Sequence, residues 1–138
     1  MNKARTSTAE LLIDEDGILQ IKMFEGTHLS LDKMKEIYEA CDRLSGNKKM
    51  LVMIDSSLDY EITEEAKEFA ASEEASRKRI ATAVVTNSIT NKLMINLYIK
   101  FNKPVVPTKM FSDKESALKW LKTFFIMPGD KFSRPKKK

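Results

Sequence analysis

The chain reads as an α/β protein. Three observations carry that reading. Met50-Leu51-Val52-Met53-Ile54 is a short apolar run without alternation, flanked by Lys48-Lys49 and Asp55, as a strand covered on both faces would be. Ile80-Ala81-Thr82-Ala83-Val84-Val85-Thr86 is a second such run, rich in β-branched residues. Capped amphipathic segments stand between and after these runs, so helices must cover the sheet they build. The expected architecture is an N-terminal antiparallel hairpin joined to a mainly parallel mixed sheet of about five strands, with about four helices.

Taken in order, residues 1–8 are expected to be a flexible N-terminus. Glu10-Leu11-Leu12-Ile13-Asp14 is the first strand, and Asp16-Gly17 marks a turn. In the returning strand Leu19, Ile21 and Met23 alternate with Gln20 and Lys22, the pattern of a half-covered strand. Ser30 is the N-cap of a helix reaching about Leu44, with a Leu29/Met34 staple. Met34, Ile37, Tyr38, Cys41 and Leu44 share its apolar face, and Gly46 offers a left-handed C-cap.

After the central strand, Thr63 caps a helix to about Ser76, with Glu64 and Glu65 in its first turn. Ala66, Ala70 and Phe69 are read as its inward residues. Ser88 caps the next helix, which reaches about Phe101. Its apolar set is broad. One sheet-facing stripe would use Ile89, Leu93 and Leu97, with Met94 and Phe101 beside them, which leaves Ile95, Tyr98 and Ile99 to another cover. Thr108-Lys109-Met110-Phe111 is a short edge strand, since Pro104 and Pro107 precede it. Ser112 and Glu115 have the spacing of a capping box for the last helix, whose buried face is Ala117, Leu118, Leu121, Phe124 and Phe125. Residues 9–128 are read as a single α/β domain and residues 129–138 as a flexible basic tail.

The net charge of +4 comes from the end of the chain. Residues 130–138 carry five bases and one acid, so the other 129 residues balance at zero. That body is polarised. Eight acids and one base lie between Asp55 and Glu74, and ten bases and two acids between Arg77 and Lys122. Such a division can steer a charged partner. Nucleic acid is not an expected partner, because stacking aromatics are not interleaved with the basic tail beyond Phe132. With one cysteine, no intrachain disulfide can form. No apolar run approaches a membrane span of about 20 residues. A cytoplasmic protein is expected.

The order of elements, Met50-Leu51-Val52-Met53-Ile54-Asp55 at the central strand, and the closing run from Pro107 to Leu121 resemble SpoIIAA-like proteins, the STAS-type fold of anti-sigma-factor antagonists. The likeness covers roughly residues 10 to 125. It implies a non-enzymatic regulator that switches partners when a serine at the start of the helix after the central strand is phosphorylated. Here that position holds Thr63, Glu64 and Glu65. Asp55-Ser56-Ser57 ends the strand several residues too early, so the serine phosphoswitch is not expected.

No catalytic residue, cofactor or metal site is expected. His28 stands without a nearby cysteine or acid in metal-ligand spacing, and Cys41 lies on an apolar helix face. The acids after Asp55 lack the spacing of a calcium loop. A glycine-rich phosphate loop is missing. The expected function is a protein interaction or regulatory module, a homodimer or a protein's partner, using Thr63, Glu64, Glu65, Ile95, Tyr98 and Ile99. The alternative is a small-molecule or lipid-binding domain, with an apolar pocket near Tyr98, Phe101, Trp120, Phe124 and Phe125.

Overall fold

A computed structural model of the chain describes residues 2–126. In chain order the elements are β1 (Lys3–Arg5), β2 (Ala9–Ile13), β3 (Leu19–Met23), β4 (His28–Leu29), α1 (Leu31–Ser45), β5 (Met50–Asp55), β6 (Glu61–Ile62), α2 (Glu64–Ala71), α3 (Glu73–Ser76), β7 (Arg79–Val85), α4 (Ile89–Leu97), β8 (Thr108–Phe111) and α5 (Lys114–Lys122). A π-helical turn, Tyr98–Asn102, extends α4, and a 3-10 turn, Thr123–Ile126, extends α5.

One sheet has the order β1-β2-β3-β5-β7-β8, and β4 and β6 form a separate two-stranded ribbon. The pairs β1–β2 and β2–β3 are antiparallel; β3–β5, β5–β7 and β7–β8 are parallel. The mixed α/β architecture is therefore the expected one, with six strands in the sheet rather than about five. The hairpin turn is held by Asp14, whose Oδ1 accepts from the backbone N–H of Asp16 and of Ile18, while Gly17 takes a φ of 82°.

Alternation along the strands divides the core in two. On one face Leu19, Ile21, Met23 and Val52 pack against Met34, Ile37, Tyr38 and Cys41 of α1. On the other, Leu51, Met53, Ala81, Ala83 and Val85 pack against Ala117 and Leu121 of α5 and Phe125. The central strand β5 thus feeds both layers, which is why its sequence is continuously apolar. Helix α1 has the anticipated ends: Ser30 Oγ accepts from Lys33 N, and Gly46 adopts φ 66° and donates to Asp42 O.

Three local expectations are corrected. Residues 3–5 do not belong to a flexible N-terminus. They form β1, because Thr6 Oγ1 accepts from the N–H groups of Thr8 and Ala9 and folds the chain back on itself. The helix expected over residues 63–76 breaks at Ser72. That residue ends α2 by donating its hydroxyl to Phe69 O at 2.6 Å and begins α3 by accepting from Ala75 N at 3.2 Å. The cap of α5 is Asp113 rather than Ser112: its carboxylate accepts from Ser116 N at 2.7 Å, and the Ser116 backbone and hydroxyl hold it below the usual carboxylate range. The expected basic tail, residues 129–138, lies outside the described residues.

Candidate functional site

Helix α4 begins where the chain leaves the buried strand β7. Ser88 caps it, accepting from Asn91 N and donating its hydroxyl to Asp59 at 2.9 Å. One turn in, Asn91 is buried, and its side-chain amide donates to Ser56 O at 2.8 Å and to Leu58 O at 3.2 Å. Those carbonyls belong to the loop that follows β5. The same loop is held by a 2.9 Å hydrogen bond between the Ser56 and Tyr60 hydroxyls. Asn91 therefore fixes the rotation of α4, and Ile95, four residues on, is buried with it.

This rotation reverses the expected faces. Ile89, Leu93 and Leu97, read from sequence as sheet-facing, are 84%, 61% and 43% exposed, and Phe101 is 68% exposed. Ile95 of the expected interaction surface is buried, while Tyr98 and Ile99 are half-buried. Helical periodicity shows that α4 has two apolar faces but not which of them meets the sheet. The protein turns inward the face that carries the amide bonded to the buried Ser56 carbonyl and to the Leu58 carbonyl. The outer face is left as an apolar stripe at i, i+4 and i+8, with Leu58 and Val105 also exposed.

A cavity of about 100 Å³ opens between the sheet and the helical layer of α1, α2 and α4. Ile21, Ile37, Ile54, Ile95, Tyr98 and Val106 form much of its apolar wall. Polar side chains also line it, among them Tyr60, Lys67, Ser76, Thr82 and Thr108, and two further ones, Arg79 and Tyr38, bear on what it could hold. Arg79, at the start of β7, is 9% exposed. Its guanidinium sits 4.6 Å over the Tyr38 ring and donates to Thr82 Oγ1 at 3.3 Å. The Tyr38 hydroxyl is buried with no hydrogen-bond partner. Burial raises the Tyr38 phenol above its ordinary pKa against the opposing pull of Arg79, and raises that of Tyr98 as well.

Backbone register explains how Arg79 reaches this wall. Met50 pairs with Arg79 but Leu51 pairs with Ala81, so Ile80 is an extra residue on β7. Ile80 and Ala81 both pack toward the α5 layer, and Arg79 is re-aimed to the face of Thr82 and Val84. A strict two-residue alternation would have put it opposite.

The remaining candidates are spread out. Thr63 caps α2, its hydroxyl accepting from Ala66 N at 3.1 Å. Glu64 pairs with Lys67 at 3.6 Å, and Glu65 is exposed. Helix α2 packs against the π-helical turn, which brings the element carrying these acids to the one carrying Tyr98 and Ile99. His28 Nδ1 lies 3.2 Å from Glu61 on the surface of the β4–β6 ribbon. Cys41 is buried, and its thiol is pushed up to about 11, chiefly by that burial. Trp120 and Phe124 meet edge to face in the α5 layer, away from the cavity beside Tyr98. Asp55 Oδ2 is 3.3 Å from Lys114 Nζ. Among the described residues, no three His, Cys, Asp or Glu side chains gather as metal ligands, and no helix is long and apolar enough to cross a membrane. Sequence reading singled out neither Asn91 nor Arg79. The available signals were an amide inside an apolar helix and a cation abutting an apolar strand.

A family model described as Domain of unknown function (DUF7793) matches residues 11–125. Among curated proteins none matches. A crystal structure of an uncharacterized protein from the DUF3478 family with a SpoIIAA-like fold, from Shewanella loihica PV-4, superposes with a TM-score of 0.56 at 18% identity, over 87% of this chain and 90% of that one. A protein with unknown function from Arthrobacter sp. FB24 matches at 20% identity over 86% of this chain and 95% of its own, with a TM-score of 0.33. The fold is thus SpoIIAA-like, of the STAS type.

Proposed function

We propose a function for this chain, which belongs to the family described as Domain of unknown function (DUF7793): it is a non-enzymatic interaction module that associates through the outer face of α4. The observation that carries this reading is the exposed stripe of Ile89, Leu93, Leu97 and Phe101. Exposed apolar residues at helical spacing are the usual anchors of a helix that packs on a partner. A SpoIIAA-like fold, which is a regulatory and non-catalytic one, agrees with that role. The partner is a second copy of the chain, with Lys92, Lys100 and Lys103 near the stripe and the acids of α2 supplying opposite charge at the rim. The start of α2 holds Thr63, whose hydroxyl is engaged as a cap, so association does not depend on a serine phosphoswitch.

Sedimentation velocity tests the proposal. The wild type should run at about twice the 15.8 kDa chain mass, and Leu93→Glu combined with Phe101→Glu should run as a folded monomer. A wild type that stays monomeric at high concentration, unchanged by the double substitution, would overturn it.

A second reading, a small-molecule or lipid-binding domain, is favoured by the apolar cavity beneath α4. It is compatible with the first, because the two surfaces lie on opposite sides of the same helix.

A further inference from the structure

We infer that the cavity between the sheet and α4 takes a small aliphatic carboxylate, its head on Arg79 and the Tyr38 hydroxyl and its alkyl body against the apolar wall. This rests on the reading of the cavity as a ligand site and names the chemistry that the site selects.

The head group follows from Arg79. A guanidinium taken out of water needs a counter-charge and hydrogen-bond acceptors for its five donors. Among the described residues no carboxylate lies within ion-pair distance of it. Its single side-chain hydrogen bond is the 3.3 Å one to Thr82 Oγ1. Asp42, on the adjoining helix α1, is engaged at 3.1 Å by Lys78, the residue next to Arg79. Tyr38, a residue 6% exposed, supplies an unused hydroxyl donor and lines the same cavity. The Tyr38 hydroxyl, without a hydrogen-bond partner, and the Arg79 guanidinium, without a carboxylate, belong to residues that line one cavity; together they call for an anionic acceptor with two oxygens, and a planar carboxylate fits the guanidinium fork.

The body follows from the rest of the wall. Isoleucines 21, 37, 54 and 95 with Val106 offer no hydrogen bonds, so this part of the wall suits an alkyl body better than a sugar or a nucleotide, while Lys67 adds a second cation to the lining that favours an anionic head. A cavity of about 150 Å³ takes benzene with its six heavy atoms, so this one, at about 100 Å³, encloses about four, the carbon chain of an acid the size of butanoate. The bulge at Ile80 bears on the same point. It places a cation on the apolar face of a strand whose neighbours there are Thr82 and Val84, which is costly for stability alone and makes sense for recognition.

The experiment is a titration of the isotope-labelled full chain, followed by amide chemical shifts, with butanoate and with its neutral isostere butan-1-ol. The acid should bind saturably, with shifts on β7, α1 and α4, and about tenfold or more tighter than the alcohol. Arg79→Met should abolish that preference and, by removing an unpaired buried charge, should melt at or above the wild-type temperature in the absence of ligand. Tyr38→Phe should reduce the preference by a smaller factor, and it carries the test should the arginine variant fail to fold. If acid and alcohol bind alike and neither substitution changes this, the cavity is a ligand site but the carboxylate inference falls. If neither probe binds, both the inference and the ligand-site reading fall.

Discussion

The Asn91 amide donates to the Ser56 carbonyl at 2.8 Å, across 35 residues of sequence. This contact ties α4 to the end of the central strand. It also turns an apolar helix so that Ile89, Leu93 and Leu97 lie outside. Replacing Asn91 by Ala leaves the Ser56 and Leu58 carbonyls without this donor, in a place where Asn91 itself is fully enclosed. The expected loss is about 2 kcal/mol of unfolding free energy. Leu93→Ala on the outer face should change it by less than about 0.5 kcal/mol. Urea titrations of both variants, read by tryptophan fluorescence, measure the difference.

The two faces of α4 should respond oppositely to a charge. Ile95→Glu places a carboxylate in the buried wall and should cost about 3 kcal/mol or more, a large share of the stability of about 5–15 kcal/mol usual for a domain, and lower the melting temperature accordingly. Leu93→Glu should leave the melting temperature within a few degrees of wild type and lower only the association. Thermal melts at several protein concentrations separate these effects, because an associating protein melts higher when concentrated.

Asp55 makes the stability depend on acid pH. Burial alone would raise its carboxyl, but the Ser57 hydrogen bonds and the Lys114 ammonium outweigh that and hold it below the usual carboxylate value. A carboxyl depressed in the folded state stabilises fully above its unfolded pKa and loses that contribution as pH falls through the folded value. Asp55→Asn should therefore be less stable than wild type at pH 7, with the gap closing below about pH 4. Urea midpoints of the two proteins from pH 7 to pH 3 test the sign. A gap that widens in acid would contradict it.

Cys41 should be inert until the protein unfolds. With its thiol raised from 9.0 to about 11, the thiolate fraction at pH 8 is about a hundredfold lower than for a free thiol, and the side chain is buried. Ellman's reagent should find no reactive thiol in the native chain within minutes and one per chain in denaturant. Rapid native reaction would show that α1 opens locally.

Much of this protein could be read directly from its residues, because the relevant chemistry is local. Asp14 and Gly17 close the hairpin, Ser30 and Gly46 bound α1, and continuous apolar runs mark β5 and β7 as strands covered twice. The end of α2 was also written locally, in Ser72, but weakly: a serine within an alanine-rich stretch does not announce that both of its hydrogen bonds will be used. The site was different. Periodicity shows that α4 has apolar faces but not which one meets the sheet, and that choice was made by two carbonyls 33 and 35 residues away that required a buried donor. The side to which Arg79 points was likewise decided by one extra residue in the pairing of β7 with β5. Hydrogen-bond satisfaction and strand register are properties of pairs of segments, so only the tertiary structure could decide them.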